Sequence, residues 1–123
     1  MSRILVVDDD PPVREMICSV LATCSYDISE AADGRIAIRM YREQPFDLVI
    51  TDLVMPNMEG IELIGELRKI DQNVQVIAIS AGFQSASDTY LKMAKLMGAK
   101  YTLPKPFGVD ELLNVVAAAL KKT

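Results

Sequence analysis

Five short runs rich in β-branched residues divide this chain, and helical spacing fills the gaps between them. The runs are Ile4–Val7, Tyr26–Ser29, Leu48–Ile50, Val74–Ile79 and Tyr101–Leu103. Between them, Val13, Met16, Ile17, Val20, Leu21 and Cys24 repeat at i, i+3, i+4, i+7, i+8 and i+11, the spacing of one apolar helix face. Val109, Leu112, Leu113, Val116, Ala117 and Leu120 repeat the same series. Asp33 and Gly34 predict a helix running through Met40, and Met58, Ile61, Ile64 and Leu67 predict another. Tyr90, Met93, Ala94 and Met97 predict one more, closed by Gly98 where a helix C-cap favours glycine.

A βα unit repeated five times predicts an α/β fold. Continuous apolar strands such as ILVV and VIAI suit a parallel sheet covered by helices on both faces. Right-handed crossovers place all strand C-terminal ends on one edge, where ligands bind in such sheets. The chain has 123 residues, one domain's worth, and it contains no linker, repeat or low-complexity segment. A single domain over residues 1–123 is expected.

The residues leaving each strand form a short list. The first strand delivers Asp8, Asp9 and Asp10, and the third delivers Asp52. The fourth delivers Ser80 and the fifth Lys105. A solvated turn would account for three acids standing alone. Several carboxylates meeting across a sheet edge instead suit Mg²⁺, a hard cation with oxygen ligands. A carboxylate there can act as a nucleophile toward phosphorus, with the metal and a lysine balancing the charge. Gly60 is expected to serve backbone geometry before a helix, and the methionines at helical spacing to fill core.

At this point VVDDD, VITDLVMPNMEG, ISAG and LPKPF resemble the signatures of the receiver (response-regulator) domain of two-component signalling. They occur in order across essentially the whole chain. The resemblance implies a doubly wound, flavodoxin-like three-layer sandwich with strand order 2-1-3-4-5. It implies that Asp52 is the phospho-acceptor, and that Mg²⁺ is held by Asp9 directly, Asp8 through water, Asp52 and the backbone carbonyl of Val54. Ser80 takes the place of the switch hydroxyl and Lys105 that of the lysine, with a cis Lys105–Pro106 peptide. Asp10 is left as a helix N-cap ahead of Pro11 and Pro12. The domain would assist its own phosphorylation without being an enzyme. A second motif, Asp8-x-Asp10 after an apolar strand, resembles the nucleophile of haloacid-dehalogenase-type phosphatases, whose further acids after the lysine are absent here. An unphosphorylated pseudo-receiver acting as a binding module is the other alternative.

Two departures from the family pattern stand out. Thr102 occupies the position, three residues before the lysine, that usually holds Tyr or Phe; Tyr101 lies one place earlier, on the opposite strand face. The stretch from Ser80 to Lys105 is also a few residues longer than usual, and the excess is expected in Gln84–Asp88.

Composition sets the partners. The chain has no histidine, which excludes a Ser-His-Asp triad and any His-bearing metal site. A phosphohistidine donor must therefore belong to another molecule: a histidine kinase or phosphotransfer protein, with a separate effector downstream. A net charge of −4 argues against direct nucleic-acid binding. No apolar run approaches the roughly 20 residues of a membrane span, and MSRILVVDDD lacks signal-peptide character. Cys18 and Cys24, six apart on one helical pattern, face different sides and are expected as two unpaired core thiols in a reducing cytoplasm.

Overall fold

The computed structural model describes residues 1–53, 60–80 and 92–121. The elements are β1 (Arg3–Val7), α1 (Pro11–Leu21), β2 (Asp27–Ala31), α2 (Gly34–Glu43), β3 (Leu48–Asp52), α3 (Gly60–Ile70) and β4 (Val76–Ser80). Then follow α4 (residues 92–97), β5 (Tyr101–Pro104) and α5 (Val109–Leu120). The strands form one parallel sheet in the order β2-β1-β3-β4-β5. This is the doubly wound, flavodoxin-like sandwich expected.

The sheet makes two cores because successive side chains leave opposite faces. Leu5, Val7, Val49, Val76 and Ala78 pack on one side with Ala37 and Tyr41 of α2, Leu63 and Leu67 of α3, and Ala94 of α4. Ile4, Val6, Ile50, Ile77 and Ile79 pack on the other with Ile17 and Leu21 of α1 and Leu112 and Val116 of α5. Every residue of the central strands β3 and β4 is buried, which is why they read as unbroken apolar runs.

Helix ends follow local chemistry. The Asp33 carboxylate accepts from the Ile36 amide at 2.9 Å and opens α2. Gly98, at φ 121°, ends α4. Its amide donates to Lys95 O at 3.1 Å and the Ala99 amide to Ala94 O at 2.9 Å, the paired bonds of a Schellman turn.

Several expectations change. Asp10 occupies the N-cap position of α1, yet its side chain makes no capping bond. Pro12 at the second helical position has no N–H to offer, so only the backbone carbonyl acts, accepting from the Arg14 amide at 3.0 Å. α1 ends at Leu21, and Cys24 falls in the turn beyond it. Cys18 and Cys24 are both free, and both are half-buried rather than core. β4 starts at Val76, because Val74 closes a turn onto Asp71 O. Met16, Met93 and Met97 are 40–45 % exposed: they sit on the rims of their helix stripes, where a flexible thioether lies along the surface. Met58, Gln84–Asp88 and Tyr90 lie outside the described residues. No helix among the described residues is long and apolar enough to cross a membrane.

Candidate functional site

Register brings the separated acids together. Val7 at the end of β1 pairs with Thr51 of β3, so the next residue on each strand, Asp8 and Asp52, are neighbours at the sheet edge. The Asp8 amide extends the ladder by one bond, to Ala31 O at 3.2 Å. On the far side of β3, Asp52 pairs with Ile79, and Ser80 ends β4 beside Pro104. The Lys105 amide donates to Ser80 O at 2.8 Å and turns the lysine back over the edge. The Lys105–Pro106 peptide is cis.

Asp8, Asp9 and Asp52 each offer a carboxylate oxygen, and these three oxygens lie within 4.8 Å of one another. Lys105 Nζ stands 3.7 Å from both Asp8 Oδ2 and Asp52 Oδ2. Two of the three carboxylates thus share one ammonium. Asp8 is 1 % exposed and Asp52 6 %, whereas Asp9 is exposed and closes the cluster from the solvent side.

Asp8 bears the cost of this arrangement. Burial pushes its carboxyl above the ordinary aspartate range, and the negative charges of Asp9 and Asp10 add to the shift. The Asp10 amide, donating to Asp8 Oδ1 at 2.9 Å, and Lys105 oppose it only in part. Asp8 Oδ2 is buried with no hydrogen-bond partner among the described residues. An orphaned anionic acceptor beside two further carboxylates fits a divalent cation. Octahedral Mg²⁺ at about 2.1 Å from each oxygen brings its ligands to roughly 3–4 Å from one another, so a small contraction of the cluster suffices.

A pH dependence follows. Folding raises the affinity of Asp8 for its proton, so below the unfolded pKa it imposes no cost. Stability falls as pH rises through the raised value, and above it the metal-free chain carries the full cost. Asp8→Asn keeps an acceptor for the Asp10 amide and removes the charge. It is expected to raise the metal-free melting temperature at neutral pH by about 3–5 °C and to flatten that pH dependence. A melting temperature below that of the parent chain would refute this.

Ser80 is buried at 1 % exposure. Thr102 pairs with Ala78 of the α2–α3 core, whereas Tyr101 packs against the opposite core. The alternation of faces therefore keeps the Tyr101 ring away from the position of Thr102. Val54 lies outside the described residues.

Sequence reasoning passed over Arg14 and left the purpose of Gly60 general. Arg14 Nη1 donates to the Asp8 carbonyl at 2.7 Å while its Nε donates to Glu30 Oε1 at 3.0 Å. An arginine one turn past Asp10 was the available signal. Gly60 begins α3, and a Cβ there would lie 2.3 Å from Asp52 O and 2.6 Å from Leu53 Cα. Its role is close approach to the backbone at the end of β3, not an unusual φ.

Residues 4–117 match the response regulator receiver domain family. Chemotaxis protein CheY of Thermotoga maritima is 39 % identical over 119 residues, covering 94 % of this chain and 97 % of that protein. Response regulator MprA of Mycolicibacterium vanbaalenii is 37 % identical over 122 residues, covering 98 % of this chain; the chain spans about half, 51 %, of that relative's length. Among solved structures, response regulator TrrA of Thermotoga maritima in complex with Mg²⁺ and BeF superposes with TM-score 0.84 at 35 % identity, covering 98 % of this chain and 100 % of the other.

Proposed function

The chain belongs to the response regulator receiver domain family, and from that premise we propose that it is a Mg²⁺-dependent phosphoryl switch with Asp52 as the acceptor. A carboxylate oxygen of Asp52 attacks the phosphorus of a phosphohistidine on a histidine kinase or phosphotransfer protein. The P–N bond breaks, its electron pair stays with the imidazole, and the imidazole takes up a proton. That histidine lies outside these 123 residues, which contain none.

The observation that carries this reading is the cluster of buried Asp8 and Asp52 with exposed Asp9 beside Lys105, with Asp8 Oδ2 left without a hydrogen-bond partner among the described residues. Asp8, Asp9, Asp52 and the Val54 carbonyl would hold Mg²⁺, which when bound supplies positive charge beside the transferring phosphoryl oxygens. Lys105 supplies a second positive contact, on a strand end whose amide is tied to β4. Little covalent work remains for the protein, so positioning and charge account for most of the catalysis. Asp8 and Asp9 hold their place without reacting. Ser80 then carries the change away from the site toward a downstream effector, and Thr102 offers little surface for burial compared with an aromatic ring. The similarity of residues 4–117 to the family supports a single receiver over 1–123. Two free thiols suit a cytoplasmic setting.

Acetyl phosphate with Mg²⁺ is expected to add one phosphoryl group to the chain, read as intact mass, and EDTA should stop the reaction. A folded chain whose mass never changes with donor and Mg²⁺ would overturn the proposal.

A further inference from the structure

We propose that Arg14, braced by Glu30, is a positioning residue for the cation site: it fixes the backbone at Asp8 so that the acids stay aimed at the metal. This rests on the reading of Asp8, Asp9 and Asp52 as the Mg²⁺ site.

The geometry is a three-point fastening of one short turn. The Asp8 amide donates to Ala31 O at 3.2 Å, and the Asp8 carbonyl accepts from Arg14 Nη1 at 2.7 Å. Two residues on, the Asp10 carbonyl accepts from the Arg14 amide at 3.0 Å. Main chain and side chain of one arginine therefore grip both ends of Asp8–Asp10. The planar guanidinium is itself held, since Nε donates to Glu30 Oε1 at 3.0 Å on β2. Only 18 % of the Arg14 side chain is exposed, so this fork is not a loose surface contact. With the backbone held, the Asp8 carboxylate keeps Oδ1 on the Asp10 amide and leaves Oδ2 for a cation. Residues behind metal ligands act in this way by orienting them.

The sign of the effect separates this role from the alternative. Arg14 is a cation close to the site. If it acted only through charge, removing it would relieve repulsion and tighten Mg²⁺ binding. If it positions the turn, removing it weakens binding.

The test is a calorimetric titration of the full chain with MgCl₂, together with the Mg²⁺ dependence of phosphorylation by acetyl phosphate. Arg14→Gln is expected to weaken Mg²⁺ binding about 10-fold. The half-saturating Mg²⁺ should rise by the same factor, while the rate at saturating Mg²⁺ changes little. Arg14→Lys keeps the charge but loses the fork and should weaken binding too. Glu30→Gln leaves Arg14 on the carbonyl and should cost less, about 2-fold to 3-fold. Should Arg14→Gln fail to fold, Arg14→Lys and Glu30→Gln decide the matter, because a merely structural brace would lower the melting temperature without moving the Mg²⁺ affinity. Unchanged or tighter binding in the folded variants overturns the positioning role alone. A parent chain that takes up no Mg²⁺, or that binds it as tightly after Asp9→Asn, overturns the metal-site reading with it.

Discussion

Asp52→Asn is expected to abolish phosphoryl uptake, lowering it by more than roughly 10⁴-fold, as loss of a nucleophile does when only binding and electrostatics remain. The substitution leaves the fold in place, because Asp52 ends β3 paired with Ile79, and the Leu53 amide after it still donates to Ile79 O. What changes is one oxygen lone pair. An amide nitrogen cannot attack phosphorus, and its carbonyl oxygen is a far weaker base than a carboxylate. The exchange also removes a negative charge from a cluster of three carboxylates, two of which share one lysine. Mg²⁺ affinity should therefore fall, while metal-free stability holds or rises. Intact mass with acetyl phosphate and Mg²⁺ reads the first effect, and thermal denaturation with EDTA reads the second. Full phosphorylation of the variant would move the acceptor elsewhere and end the assignment.

Gly60→Ala is expected to destabilise the chain by about 2–3 kcal/mol, at the upper end for a forced overpacking, with the melting temperature falling by roughly 8–12 °C. The new methyl would sit 2.3 Å from Asp52 O and 2.6 Å from Leu53 Cα. Both obstacles are backbone, so no rotamer change relieves them. The Gly60 amide also donates to Leu53 O at 2.9 Å, so α3 cannot retreat without breaking that bond. Because the colliding atoms belong to Asp52 and Leu53, acceptor geometry should suffer along with stability. Gly65, in the same helix, is the control. A Cβ there meets only the terminal carbon of Met97 at 3.1 Å, the end of a flexible side chain. Gly65→Ala should be near neutral, or stabilising by up to about 1 kcal/mol through helix propensity. Equal losses at Gly60 and Gly65, measured by urea denaturation, would show that the tight approach is not the cause.

Arg14 and Gly60 mark where legibility in the sequence ends. β3 and β4 were visible there because burial on both faces writes an apolar run, whereas half-exposed β2 reads as Tyr26–Ser29 in the sequence and runs Asp27–Ala31 in the fold. α5 was legible in its centre, where Leu112 and Val116 turn toward a single core, but Val109 and Ala117 of the expected stripe are exposed and Ala119 is buried in their place. Gly98 was legible as a helix end because φ 121° is a local demand that glycine meets. The acids and the lysine could be placed on one edge from chain order alone, since parallel strands joined by helices all end on the same side. Local periodicity carries this much, and the amino-acid order by itself determined it.

Tertiary structure decided which of those groups meet, and at what distance. Lys105 lies 53 residues after Asp52, yet it stands equally far from the carboxylates of Asp8 and Asp52 because β4 and β5 are stacked in register beside β3. Asp10 looked like a capping side chain, but two prolines behind it removed a donor, and Arg14 took over the turn. Gly60 was expected to serve backbone geometry before a helix, and packing made it a point of contact with the end of β3. These outcomes depend on short-range repulsion and hydrogen-bond geometry between segments distant along the chain. Such forces act across space, over a few ångströms, and no local pattern of residues records them.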